Sequence, residues 1–153
     1  VIAFTGSADA MNAQYATGLS DEWKVMMSTF DQLTESDGSA AGRSIHTINA
    51  EAEGPIHHIL QLKVDEPQKY VPAFKKMWET VKPDGRLTLG QFVSGRKDGI
   101  SHYILVSRKD FKDLISPREW NNKEQAAWEK YREERGDSEI ITTMTRALVK
   151  QWK

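Results

Sequence analysis

At 153 residues the chain has room for one ordinary domain, or one and a half small ones. Its 21 basic and 22 acidic side chains leave a net charge of −1 with the signs interspersed, which argues against a nucleic-acid partner and an anionic membrane surface. The absence of cysteine excludes thiol catalysis, disulfides and cysteine-ligated zinc, and no apolar run reaches the roughly 18 residues that span a bilayer.

Val1 to Thr5 reads as a short buried strand ended by Gly6-Ser7, and Ala8 to Leu19 as a mixed helical turn and loop. The start on Val1 rather than Met suits a processed exported protein as well as a cytoplasmic fragment, so the compartment is left open. Ser20 is placed to cap a helix whose apolar face is Trp23, Met26, Met27, Phe30 and Leu33, and Glu35 to Ser39 ends it. Asp37 to Gly42 is small and flexible in composition and reads as a loop, followed by an alternating strand from Ser44 to Asn49.

Glu51 to Pro55 reads as a boundary between a segment 1–54 and a segment 55–153. Beyond it lies the strand His57 to Val64, then a helix capped by Asp65 with Pro67 in its first turn and the stripe Tyr70, Val71, Phe74, Met77, Trp78 and Val81. Pro72 either kinks that helix or marks its true first turn. A Pro83-Asp84-Gly85 turn leads into a strand from Arg86 to Ser94, a hairpin loop from Gly95 to Gly99, and a partner strand from Ser101 to Ser107. A short helix from Asp110 to Ile115, a longer one capped by Asn122 and stopped at Gly136, and a final strand from Glu139 to Trp152 complete the order.

The second segment is therefore a βαββαβ unit, and the first resembles its back half. Val1 falls on Tyr103, strand VIAFT on YILVS, Ser20 on Asn122 and Glu22 on Glu124, which reads as an internal repeat with an incomplete first copy. The fold class expected is α+β: a ferredoxin-like unit preceded by a partial second copy, with sheets pairing into an α/β barrel. By this element order and by the segment DEPQKYVPAFKKMW, Asp65 to Trp78, the chain resembles the dimeric α/β-barrel superfamily. That superfamily includes antibiotic-biosynthesis-type monooxygenases and stress-responsive barrel proteins. The resemblance implies a sheet face covered by a second sheet, and so a homodimer or a higher assembly.

In the phase expected of the first complete strand, His58, Leu60 and Leu62 meet the helices, while His57, Ile59, Gln61 and Lys63 face the opposite sheet or a cavity. Gln91 or Phe92, His102 or Tyr103, and Arg146 are candidates to join that lining, neighbours on a strand alternating between faces. His57, Gln61, Phe92, Tyr103, His102 and Arg146 are thus the expected ligand-binding residues, a mixture of aromatic, amide and basic groups that suits a small apolar or aromatic ligand. His46, His57 and His102 all fall on strands, but no ligand spacing joins them; no metal and no cofactor is expected. An imidazole in the lining is able to move a proton, so a cofactor-free monooxygenase or isomerase is the alternative. A structural module that uses the sheet face only for assembly is the third reading. Neither a phosphate-loop pattern nor a nucleophile elbow occurs.

Overall fold

The structure is a computed structural model, and it describes residues 6–16, 18, 20–33 and 39–149. The expected strand Val1 to Thr5, most of the stretch Glu35 to Ser39 and the end of the final strand at Trp152 lie outside the described residues. Two compact units are present, Val1–Ser39 and Ala40–Lys153.

The first unit contains helices α1 (Ala8–Ala16) and α2 (Asp21–Leu33). Of the stretch read as a mixed turn and loop, Ala8–Ala16 forms a nine-residue helix. Ser20 caps α2 as its sequence suggests: its Oγ accepts from the Trp23 amide at 3.2 Å, and Asp21 lies where the helix dipole favours an acid.

In the second unit the order is β1 (Ala41–Ile48), β2 (Ile56–Val64), α3 (Pro67–Val81), β3 (Leu87–Ser94), β4 (His102–Arg108), α4 (Phe111–Ile115), α5 (Asn122–Glu134) and β5 (Ser138–Ala147). The fold is α+β, with five helices in all and one five-stranded sheet among the described residues. The strands run β1-β3-β4-β2-β5, and every neighbouring pair is antiparallel. The sheet is open, with β1 and β5 as its edges, and does not close into a barrel. β1, which the repeat assigns to the partial copy, bonds to β3 of the complete unit. It also starts earlier than expected, at Ala41, because pairing with Ser94 and Phe92 extends residues whose small side chains alone suggest a loop.

Helices α3 and α5 cover one sheet face. Tyr70, Phe74, Met77 and Val81 from α3 and Tyr131 from α5 close over Leu62 and Val64 of β2 and Leu87 and Leu89 of β3. Tyr70 stacks on Phe74 with ring centres 6.3 Å apart and meets Tyr131 edge-on at 6.0 Å.

Two caps differ from expectation by one residue. Glu66, not Asp65, precedes α3; Pro67 occupies the position where a missing amide costs nothing, and Pro72 lies inside the helix. Asn121, not Asn122, caps α5. Its side chain accepts from the Lys123 and Glu124 amides, while Glu124 reaches back to the Asn121 amide at 3.0 Å, closing a capping box. Glu124 also accepts from Arg118 at 2.9 Å. Replacing Asn121 by Ala is expected to cost about 1 kcal/mol, checked by urea denaturation; replacing Asn122 should leave stability within about 0.5 kcal/mol.

Candidate functional site

Side-chain alternation places a second set of residues on the sheet face away from α3 and α5. Across the strands they form rows two residues apart, about 7 Å along the chain direction. The first row is Arg146, His57 and Ser107; the second Met144, Ile59, Leu105, Thr88 and Thr47; the third Thr142, Gln61, Tyr103, Gly90 and Ser44. Phe92, paired with Gly42, follows beyond Gly90 on β3.

The first row is charged. Arg146 Nε donates to His57 Nδ1 at 3.3 Å, across the β5–β2 pairing that sets them side by side. With Nδ1 accepting, the ring proton of neutral His57 belongs on Nε2, which faces Glu53 Oε1 at 3.6 Å, beyond hydrogen-bond reach. Glu53 is held by Arg86 at 3.0 Å. Its loop is seated by the Gly54 amide on Ser107 Oγ at 2.6 Å, by the Arg86 amide on the Ala52 carbonyl at 2.9 Å, and by the Asn49 amide group on the Pro83 carbonyl. His57 is 5% exposed. Burial first, and then the Arg146 charge, pull its pKa below the ordinary histidine value; Glu53 and the Gly54 backbone oppose this but do not prevail. Glu53 and Arg86 cancel, so the row keeps the positive charge of Arg146, which has no carboxylate partner among the described residues.

The second row is aliphatic at its centre, where Met144, Ile59 and Leu105 are half-buried. In the third row Gln61 is 2% exposed and its Oε1 has no hydrogen-bond partner. Beside it the Tyr103 ring lies flat over β3 and β1. A Cβ on Gly90 would stand 2.0 Å from Tyr103 Cζ, so glycine there admits the ring; one on Gly42 would stand 2.9 Å from the Gln91 carbonyl oxygen and 3.1 Å from Tyr103 Cε1, so backbone and ring both crowd that position. Phe92 packs against Tyr103 at 5.0 Å between ring centres, and the Arg96 guanidinium stands 4.8 Å over Phe92.

Of the six residues expected from the sequence, five share this face: His57, Gln61, Phe92, Tyr103 and Arg146. His102 does not. It faces the helices at 1% exposure, its Nδ1 bonded to Ser101 Oγ at 2.9 Å and its ring 6.4 Å from Tyr70. Burial alone lowers its pKa. His46 pairs with Leu89 and so belongs to the helix-side face, which separates it from His57. No group of three or more His, Asp or Glu able to hold a metal occurs among the described residues. No helix among them is long and apolar enough to cross a membrane.

The sequence matches no protein-family model and no curated protein. Among solved structures the chain is similar to an anthrone oxidase-like protein, at 14% identity and a TM-score of 0.46, over 94% of this chain and 70% of that one. A likeness at this level says nothing of activity.

Glu53 and the two glycines escape a reading by strand phase. Glu53 lies in the loop taken as a boundary, and nothing in its local pattern ties it to His57. Gly90 and Gly42 do leave a signal, since glycine inside a strand marks a close approach by another group. A separate groove of about 210 Å³ runs between α3 and α5 over Ala73, Met77 and Ala127. Its charged groups are Lys76, Lys130 and Glu134, and the one carboxylate lies within 3.4 Å of Lys76 and 3.7 Å of Lys130.

Proposed function

We propose that residues 40–153 form a ferredoxin-like βαββαβ unit with β1 added at its edge, and that the sheet face away from α3 and α5 binds a small apolar or aromatic molecule. The strand order β3-β4-β2-β5, with both long helices on one face, is what such a unit produces. The carrying observation is the coexistence on the other face of a buried, unsatisfied Gln61 amide oxygen and an Arg146 without a carboxylate partner among the described residues with the apolar surface of Ile59, Leu105, Phe92 and Tyr103. A buried polar atom left without a partner costs about 1–3 kcal/mol, which a bound ligand recovers. A second copy of the chain closing sheet to sheet over this face, as the dimeric α/β-barrel resemblance implies, belongs to the same reading.

Oxygenase or isomerase chemistry through His57 is the weaker reading, for a reason of geometry. The Nδ1 lone pair is taken by Arg146 and Nε2 carries the proton, so His57 offers a base only after Arg146 is drawn away.

The test is a titration with Nile red, a neutral apolar dye, followed by fluorescence and by amide shifts in a two-dimensional NMR spectrum. Shifts should concentrate on β2, β4 and β3, and Tyr103→Ala should weaken binding about tenfold, equivalent to 1.4 kcal/mol. Shifts confined to the α3–α5 groove, or no binding at all, would refute the assignment.

A further inference from the structure

We propose that the natural ligand is bifunctional: an acidic head group held by Arg146, an apolar middle over Ile59 and Leu105, and a hydroxyl that meets Gln61. This rests on the reading that the face binds a ligand, and it specifies the class. The head group follows from charge. Glu53 is occupied by Arg86 at 3.0 Å, so Arg146 is left as the uncompensated cation of its row, with Nε on His57 and its other donors unassigned. A carboxylate accepts from those donors in the two-point geometry that guanidinium favours.

The middle follows from the second row, where Met144, Ile59 and Leu105 lie side by side across three strands and offer nothing to hydrogen-bond. The far end follows from Gln61, whose buried amide has an unsatisfied atom. A hydroxyl both donates and accepts, so it satisfies that amide in either orientation of its oxygen and nitrogen. His57 and Gln61 are four residues apart on β2, which sets the separation of the two polar ends at about 13 Å. A sugar lacks the apolar middle, and a neutral hydrocarbon lacks both ends.

Three probes distinguish these elements: decanoic acid, hydroxydecanoic acid with its hydroxyl on the terminal carbon, and decanol. The extended hydroxy acid matches the separation of Arg146 from Gln61. In calorimetric titrations it should bind about tenfold more tightly than decanoic acid, as one hydrogen bond to a buried unsatisfied group warrants. In Gln61→Leu the two acids should bind equally, and in Arg146→Met the preference for acid over decanol should vanish. Melting curves establish that the variants fold. Should Gln61→Leu fail to fold, the Gln61 side-chain amide signal of the unaltered protein takes its place, expected to shift with the hydroxy acid and not with decanoic acid. A terminal hydroxyl that brings no advantage, or an advantage that survives in Gln61→Leu, overturns the proposal while leaving apolar binding intact. If none of the three probes binds and no amide of β2 or β4 shifts, the broader reading falls with it.

Discussion

Gly90→Val should destabilise the second unit by about 3 kcal/mol and displace the Tyr103 ring. Valine favours strands over glycine, a preference within a scale of about 1 kcal/mol, so local propensity alone predicts a gain. Crowding opposes it and is larger. The first added carbon would stand 2.0 Å from Tyr103 Cζ and 2.3 Å from its hydroxyl oxygen, well inside van der Waals contact. The ring has little freedom to yield in place, with Phe92 at 5.0 Å and Gly42 beneath its Cε1. It must rotate off the sheet, exposing apolar area and opening the third row.

The double variant Gly90→Val with Tyr103→Ala discriminates crowding from a backbone effect. Removing the ring should return most of the lost stability, so that the two changes are far from additive in urea denaturation. Additive losses, or a Gly90→Val protein as stable as the original, would show that Tyr103 does not rest on Gly90. Dye binding should be weakened in both single variants, because each removes the flat aromatic surface beside Gln61.

The same pair of residues shows how much was legible in the sequence. The phase of β2 could be read directly, since Leu60 and Leu62 alternate against Gln61 and Lys63 and only one arrangement buries both leucines. That fixed His57 and Gln61 on the face away from the helices. On β3 and β4 the alternatives Gln91 or Phe92 and His102 or Tyr103 could not be separated by polarity, because histidine and tyrosine both carry an apolar body and a polar tip. What decides them is contact across the sheet: Gly90 admits Tyr103 on one side, and Ser101 with Tyr70 satisfies His102 on the other. Glu53 was beyond a strand-phase argument altogether, since its approach to His57 depends on how Gly54 and Ala52 anchor the loop to Ser107 and Arg86. The helix caps slipped by one residue for a local reason: adjacent Asp65-Glu66 and Asn121-Asn122 offer two candidate caps each, and the tertiary bond of the Asp65 amide to Asp137 chooses in the first case.

Stability should also fall between about pH 7 and about pH 5, and two histidines on opposite faces of the sheet should share the loss. His57 and His102 both have pKa values lowered from the ordinary 6.5 in the folded protein. Above 6.5 the ring is neutral folded or unfolded, and its contribution is fully present. As the pH drops below 6.5, the unfolded chain takes up protons that the folded one refuses, so the folded state loses ground until the lowered folded value is passed. The slope reaches at most about 1.4 kcal/mol per pH unit for each histidine.

Separate substitutions apportion this loss. His102→Gln removes the share that comes from burial against Tyr70, and should flatten part of the urea-denaturation profile while leaving ligand binding unchanged. His57→Gln removes the other share, and it alone should alter the pH dependence of binding. Protonated His57 can no longer accept from Arg146 and stands as a second cation beside it, so an anionic head group gains on acidification. A stability profile that is flat between pH 7 and pH 5, or one that His57→Gln and His102→Gln both leave unchanged, would mean that these rings meet water more freely than their 5% and 1% exposures imply.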